Sequence, residues 1–323
     1  MPVSRATRIV CGSVAPSVAL RYLAGALLVV TWLTVPVGAH VPGIVTPDAL
    51  WSRWSLELLV LASLAVTSWV YARGVRRLWS SAAGSTRGVS RASAWSFAAG
   101  QAALIVALIS PLDALGGTLL SAHMAQHGIL AGLAPPLLLL GAPGVAFAWG
   151  VSGIQAIRRI APVWRSLGGL ARTFSTPMRA TVVHGLTMWL WHAPMLFGAA
   201  VEHEWVHALQ HLSFFIPAIL FWRALLGEHS ATHAAGAAAA AFATFMHTGL
   251  LGGLITMAPE PLYSVYAGRT ESWGLTALAD QHLAGLLMWV PLGVPYVVAG
   301  LVLTSHLVRG HVRDVNGRLE ISE

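Results

Sequence analysis

No lysine occurs among the 323 residues, cysteine occurs once, and acidic residues number 12. The lone Cys11 excludes a disulfide framework, a zinc ribbon and a C-x-x-C redox pair. Charged residues make up 10% of the chain, where a soluble domain carries about 25%. With 56% hydrophobic residues and a mean hydropathy of +0.69, that shortage describes a chain dissolved in lipid. The same figures exclude disorder, collagen and a coiled coil. The 19 basic residues are all arginine. They lie between apolar runs rather than on one face, so a pI of 10.7 does not signal a nucleic-acid surface. Gly-x-Ser-x-Gly, P-loop and dinucleotide fingerprints are missing as well.

What is present is a series of apolar runs. A bilayer-spanning helix needs about 20 mostly apolar residues. Eight segments qualify, at roughly 20–38, 55–72, 94–111, 118–140, 178–198, 204–226, 235–258 and 279–305. The expected fold is therefore all-α, a polytopic membrane bundle of about eight transmembrane helices. Residues 1–54 form an N-terminal segment with the first span, 55–306 the bundle, and 307–323 a cytoplasmic tail. With the N-terminus inside, 17 arginines fall in inner segments, and only Arg53 and Arg269 fall outside. That split predicts both termini on the cytoplasmic face of the membrane. The run Leu23 to Val35, followed by Val37-Gly38-Ala39, also has the form of a signal peptide, and cleavage after Ala39 would leave seven spans. The 22-residue lead is long for a signal, which favours an uncleaved first helix. The arginine-rich stretch 154–178 reads equally as an amphipathic helix on anionic headgroups or as a solvated loop.

Fourteen histidines and 14 tryptophans are unusual in such a chain. The tryptophans fit interfacial belts. The histidines show a pattern once placed on the spans. His123 and His127 begin the fourth, His192 ends the fifth, and His203, His207 and His211 open the sixth. His247 lies in the outer half of the seventh and His282 opens the eighth. All eight fall within roughly 16 Å of the outer interface. The pairs 123/127, 203/207 and 207/211 are i,i+4, as is the stripe His184, Met188, His192, so each set lies along one helix face. Ionisable side chains in lipid face the bundle interior or a cavity. A lone intramembrane histidine is more often an interhelical hydrogen-bonding group than a ligand, but independent placement would not select one leaflet. The predicted centre comprises His123, His127, His207, His211 and His247, with His192 and His282 at its margin. Met124 and Met188 are possible soft ligands, with Met195 and Met246 as further candidates. Imidazole and thioether suit copper or zinc, and sulfur favours Cu(I). Asp113 and Asp280 are candidates to orient histidines, although Asp113 could equally cap a helix.

His203-Glu204-Trp205-Val206-His207 matches the H-E-x-x-H pattern of zinc proteases. Among so many histidines a chance match is cheap, and the pattern starts at the membrane surface, so the chain is expected not to be an enzyme.

Ser110-Pro-Leu-Asp113, His123-Met-Ala-Gln-His127 and Ala134-Pro-Pro-Leu-Leu-Leu-Leu-Gly-Ala-Pro143 together resemble the CtaG family of cytochrome c oxidase assembly factors. Trp191-His-Ala-Pro194, His207-Ala-Leu-Gln-His211, Phe221-Trp222, Pro261-Leu-Tyr263 and Ala279-Asp-Gln-His-Leu-Ala-Gly-Leu-Leu-Met-Trp289 continue the resemblance in order. The resemblance covers a core at about 110–289. It implies a plasma-membrane factor that acts with haem-copper oxidase subunits, in forming or loading their copper centre. Two positions depart from the family pattern: Gln210 stands where glutamate is usual, and His282 where glutamine is usual. A copper or zinc transporter and a haem-binding redox protein with bis-histidine ligation are the alternative readings.

Overall fold

The computed structural model describes residues 43–81, 88–152, 176–227 and 231–321. All regular structure among them is helical. The main helices are α1 (Leu58–Ser80), α2 (Arg91–Leu108), α3 (Pro111–Gly116), α4 (Leu120–Gly128), α5 (Ala134–Leu140) and α6 (Pro143–Gly150). They continue with α7 (Pro177–Trp191), α8 (Pro194–Glu202), α9 (Glu204–Leu225), α10 (Ala231–Met257), α11 (Ala277–Trp289) and α12 (Val294–Ile321). A π-helical turn, Ile129–Leu133, joins α4 to α5, and a 3-10 turn, Pro291–Gly293, joins α11 to α12.

Four segments are long and apolar enough to cross a membrane: Leu58–Ser80, Glu204–Leu225, Thr232–Met257 and Ala277–Arg309. A fifth is obtained if Leu120–Leu140 and Pro143–Gly150, bent by 62°, count as one span. Eight uniform spans are thus not what the described residues display. The first expected span and most of the 154–178 stretch lie outside them. The fifth expected span, 178–198, is broken. α7 stops at Trp191, and Pro194, with no N–H to donate, starts α8 at its first turn. The eighth, expected at 279–305, runs through the 3-10 turn at Pro291 as one candidate span, Ala277–Arg309. α2 is an 18-residue helix entered through Ser90, whose hydroxyl accepts from Ser93 N.

The bundle turns small and polar residues inward and leaves Leu186, Leu190, Phe242, Leu250, Leu254 and Leu301 exposed. A water-soluble core would invert that arrangement; lipid accepts it. α10 packs along α7, α11 and α12, while α4 lies between α11 and α3. One close crossing is α10 on α11. A Cβ on Gly285 would stand within 2.6 Å of Gly252 O, so only glycine lets these backbones meet. One apolar core stacks Tyr71 on Phe97 at 3.7 Å, and Tyr71 Oη donates to Gly141 O at 2.7 Å. The second core, built from α4 and α7 to α12, holds Phe197, Phe214 and Phe221, all fully buried, and surrounds the histidines.

Candidate metal centre

Helical spacing places His123 and His127 on one face of α4, and His207 and His211 on one face of α9. The two faces meet. Ring centroids lie 4.3 Å apart for His123–His127, 4.1 Å for His207–His211, 5.3 Å for His123–His207 and 5.7 Å for His127–His211. His192, at the C-cap of α7, adds a fifth ring 6.0 Å from His127. One nitrogen from each of His123, His127 and His211 lies within 4.8 Å of the other two. Phe197 (4.7 Å from His123) and Phe214 (4.5 Å from His127) close the sides.

Hydrogen bonding separates rings held for structure from rings left available. Both nitrogens of His127 are buried and lack a hydrogen-bond partner. Each such group costs about 1–3 kcal/mol. His192 Nδ1 lies 2.7 Å from the Met188 carbonyl, which can only accept, so Nδ1 carries the proton. In the neutral ring Nε2 then presents a lone pair, and it faces Met124 Sδ at 3.3 Å. Two acceptors meet there with no hydrogen between them, an arrangement a soft cation would relieve. His123 is better served. Its Nδ1 lies 3.3 Å from Gly116 O and from Tyr266 Oη, and its Nε2 is 3.1 Å from Gln210 Oε1. Burial pushes the Tyr266 phenol well above its usual range, so it remains a donor. Gly116 O at Nδ1 and Gln210 Oε1 at Nε2 can each only accept, so a neutral His123 ring donates to one of them and leaves its other nitrogen as a lone pair.

Asp113 extends the group outward, its carboxylate lying within 4.8 Å of nitrogens of His207 and His211. Ser55 Oγ (2.6 Å) and Gln126 Nε2 (2.7 Å) donate to it, which fixes its orientation. The cap of α3 is Ser110, not Asp113. A cavity of about 310 Å³ opens here, lined by His123, His207, Asp113, Glu202, Glu204 and Arg269 among others. On the opposite side His127 and His192 border a second cavity of about 20 Å³, with Met124, Met188 and Met288 in its wall.

Several expected members stand elsewhere. His247 packs against Gly185 in the middle of the bundle, apart from the five rings. Its outer-half position was legible, but not the side of α10 on which it lies. His282 bonds Ala258 O at 3.2 Å and reaches no other imidazole. Asp280 orients no histidine; it accepts from Leu120 N at 2.6 Å and from Ser121 N and Oγ. It thereby caps α4 from a distant helix, since Leu119 at the N-cap offers no side-chain acceptor. Met195 and Met246 are exposed, at 83% and 51%. His203 is exposed at the extended N-cap of α9, so the H-E-x-x-H match does not turn two imidazoles to one centre. Sequence reasoning missed Met288 and Tyr266. Met288 follows Asp280, Gln281, Ala284 and Gly285 in the buried stripe of α11, a signal that was available. The Tyr266 contact arises from tertiary folding of the 258–276 loop and had none.

The profile of the cytochrome c oxidase caa3 assembly factor family, Caa3_CtaG, matches residues 69–310. Uncharacterized proteins of Mycobacterium bovis and Mycobacterium tuberculosis are each 28% identical over 282 residues, 84% of this chain and 42% of theirs. An uncharacterized protein of Mycobacterium leprae is 25% identical over 264 residues, 79% of this chain and 40% of its own. The chain thus spans less than half the length of these relatives. No solved structure matches it.

Proposed function

The chain belongs to the family of cytochrome c oxidase caa3 assembly factors, and from that premise we propose that its imidazole cluster holds Cu(I) destined for the copper centre of a haem-copper oxidase. The observation that carries this reading is His127, its two nitrogens buried and unpartnered among rings whose nitrogens converge within 4.8 Å. Neutral nitrogen and thioether donors take up a monovalent soft ion without burying ligand charge. Met124 Sδ against His192 Nε2 favours copper over zinc. The 20 Å³ cavity beside His127 suits an ion and is far too small for a haem macrocycle. His127, His192 and His211 are the strongest ligands, with His123 and Met124 completing the set. The outer cavity, bordered by Asp113, Glu202 and Glu204, serves as the entrance for a cation.

The reading includes the topology of eight passes with both termini inside, which turns the cavity to the outer face and the oxidase subunits it would serve. Because neutral ligands exchange one at a time, copper can pass to an acceptor built from histidines without crossing bulk water. The test is copper content of the host's oxidase in strains carrying His127→Ala or His211→Ala. We expect the factor to accumulate in the membrane and the oxidase to assemble copper-deficient and inactive, with partial rescue by added copper. His203→Ala and His306→Ala, at exposed positions, should behave as wild type. Full oxidase copper in both cluster variants would refute the reading.

A further inference from the structure

A second pair of imidazoles lies deeper. His184 on α7 is fully buried. Its Nε2 is 3.3 Å from Tyr296 Oη, and its Nδ1 has no hydrogen-bond partner. His247 on α10 stands beside it because position 185 is glycine; a Cβ there would lie 3.2 Å from His247 Nε2. Both nitrogens of His247 are buried and unpartnered. Three ring nitrogens on two packed helices thus lack a protein hydrogen bond. Phe221 stacks on His184 at 5.2 Å and helps seal it. Counting along the helices, His184 lies about 10 Å from the inner end of α7 and His247 about 15 Å from the outer end of α10. Both therefore sit near the middle of the bilayer, where an unsatisfied imidazole is costly.

The pair is not isolated from the outer cluster. His184, Met188 and His192 form one i,i+4,i+8 stripe on α7, and all three are buried. Met188 lines the 20 Å³ cavity that also touches His127 and His192. Tyr296, the partner of His184, and Thr248, the chain neighbour of His247, line the same cavity. Met124, Met188 and Met288 all line that cavity.

We propose that His184 and His247 form a second, deeper Cu(I) station, reached from the outer cluster through the methionine-lined cavity. This rests on the copper reading of the outer cluster. Each transfer forms one bond from copper to an incoming nitrogen or sulfur as one outgoing bond breaks. Copper stays in the +1 state, and no electron moves. Two neutral imidazoles suffice for Cu(I), a d10 ion with no ligand-field demand for more.

The experiment is a Cu(I) titration of the full-length chain in detergent under anaerobic conditions, in competition with a chromophoric chelator. Wild type should bind two Cu(I) per chain, and His184→Gln/His247→Gln should bind one, losing half the copper. His127→Gln/His211→Gln should lose the outer ion. Should the deep double variant fail to fold, the single variants His184→Asn and His247→Asn replace it, each expected to lose the second ion. Wild type binding one Cu(I), with the deep variant also binding one, would overturn the second station and leave the outer site standing. Two ions retained in the deep variant would place the second copper elsewhere and equally overturn it. No binding by wild type would remove the copper reading itself.

Discussion

His127 carries two unpartnered nitrogens into a sealed interior, an arrangement that folding alone does not favour. Replacing it by alanine removes two unsatisfied groups and one ring. The expected outcome is a thermal midpoint within a few degrees of wild type, with Cu(I) affinity weakened at least about tenfold, as for loss of one ligand-sphere interaction. Thermal unfolding and chelator competition on the same preparation check both parts. A large loss of stability with unchanged affinity would mark the ring as packing. Gln210 makes the opposite case. Its Oε1 meets His123 and its Nε2 is buried without a partner. Glu at this position would present a carboxylate to His123 Nε2 and hold a proton on it, so Gln210→Glu should take His123 out of the ligand set and weaken copper binding about tenfold in chelator competition. Spacing made the residues of α4 and α9 legible, because i,i+4 pairs must share a helix face. His247 was misassigned because depth in the membrane is read from chain position, whereas the direction of a ring depends on which neighbours the helix meets.

The elements that aim these rings are short and interrupted. α4, with its two histidines, has nine residues and no local cap of its own; Asp280 supplies the acceptors from α11. Asp280→Ala should therefore loosen α4. The expected loss is about 1–2 kcal/mol of stability, the usual cost of an N-cap. It should appear as a lowered thermal midpoint together with weaker copper binding, although Asp280 touches no ring. Asp280→Asn, which keeps an acceptor oxygen, should recover part of both. Where α10 crosses α11, Gly285→Ala would drive a methyl to within 2.3 Å of Thr256 Oγ1 and force the helices apart. Lower yield of folded protein by size-exclusion chromatography would report it. The break at Pro194 was visible in the sequence as a proline within an apolar run, but the run length alone suggested a continuous span. The π turn at Ile129–Leu133 has a local trace in Pro135 and Pro136, which withhold two N–H donors; its other support, Trp222 Nε1 donating to Ala131 O at 2.9 Å across the bundle, has none.

For the whole molecule, composition announced the membrane class, and arginine placement predicts an orientation. Reporter fusions after residues 85, 168 and 320 should all read cytoplasmic, and an external signal at the middle one would overturn that topology. The described residues contain four helices able to cross a bilayer, or five with the bent pair. Uniform spans were expected because hydropathy measures apolar content and is blind to bends.

On the proposed topology the stripe of His184, Met188 and His192 would run along the bilayer normal, and so along the electrical field of a respiring membrane. Eight residues of helix separate its ends by about 12 Å, roughly two-fifths of the hydrocarbon thickness. Moving one positive charge that far down a 100 mV potential, negative inside, releases about 0.9 kcal/mol. Membrane voltage would then weight copper toward His184 and His247 by about fivefold, and collapse of the voltage would return it toward the outer rings. Delivery to an outward-facing acceptor would thus work against the same potential that the finished oxidase helps to generate.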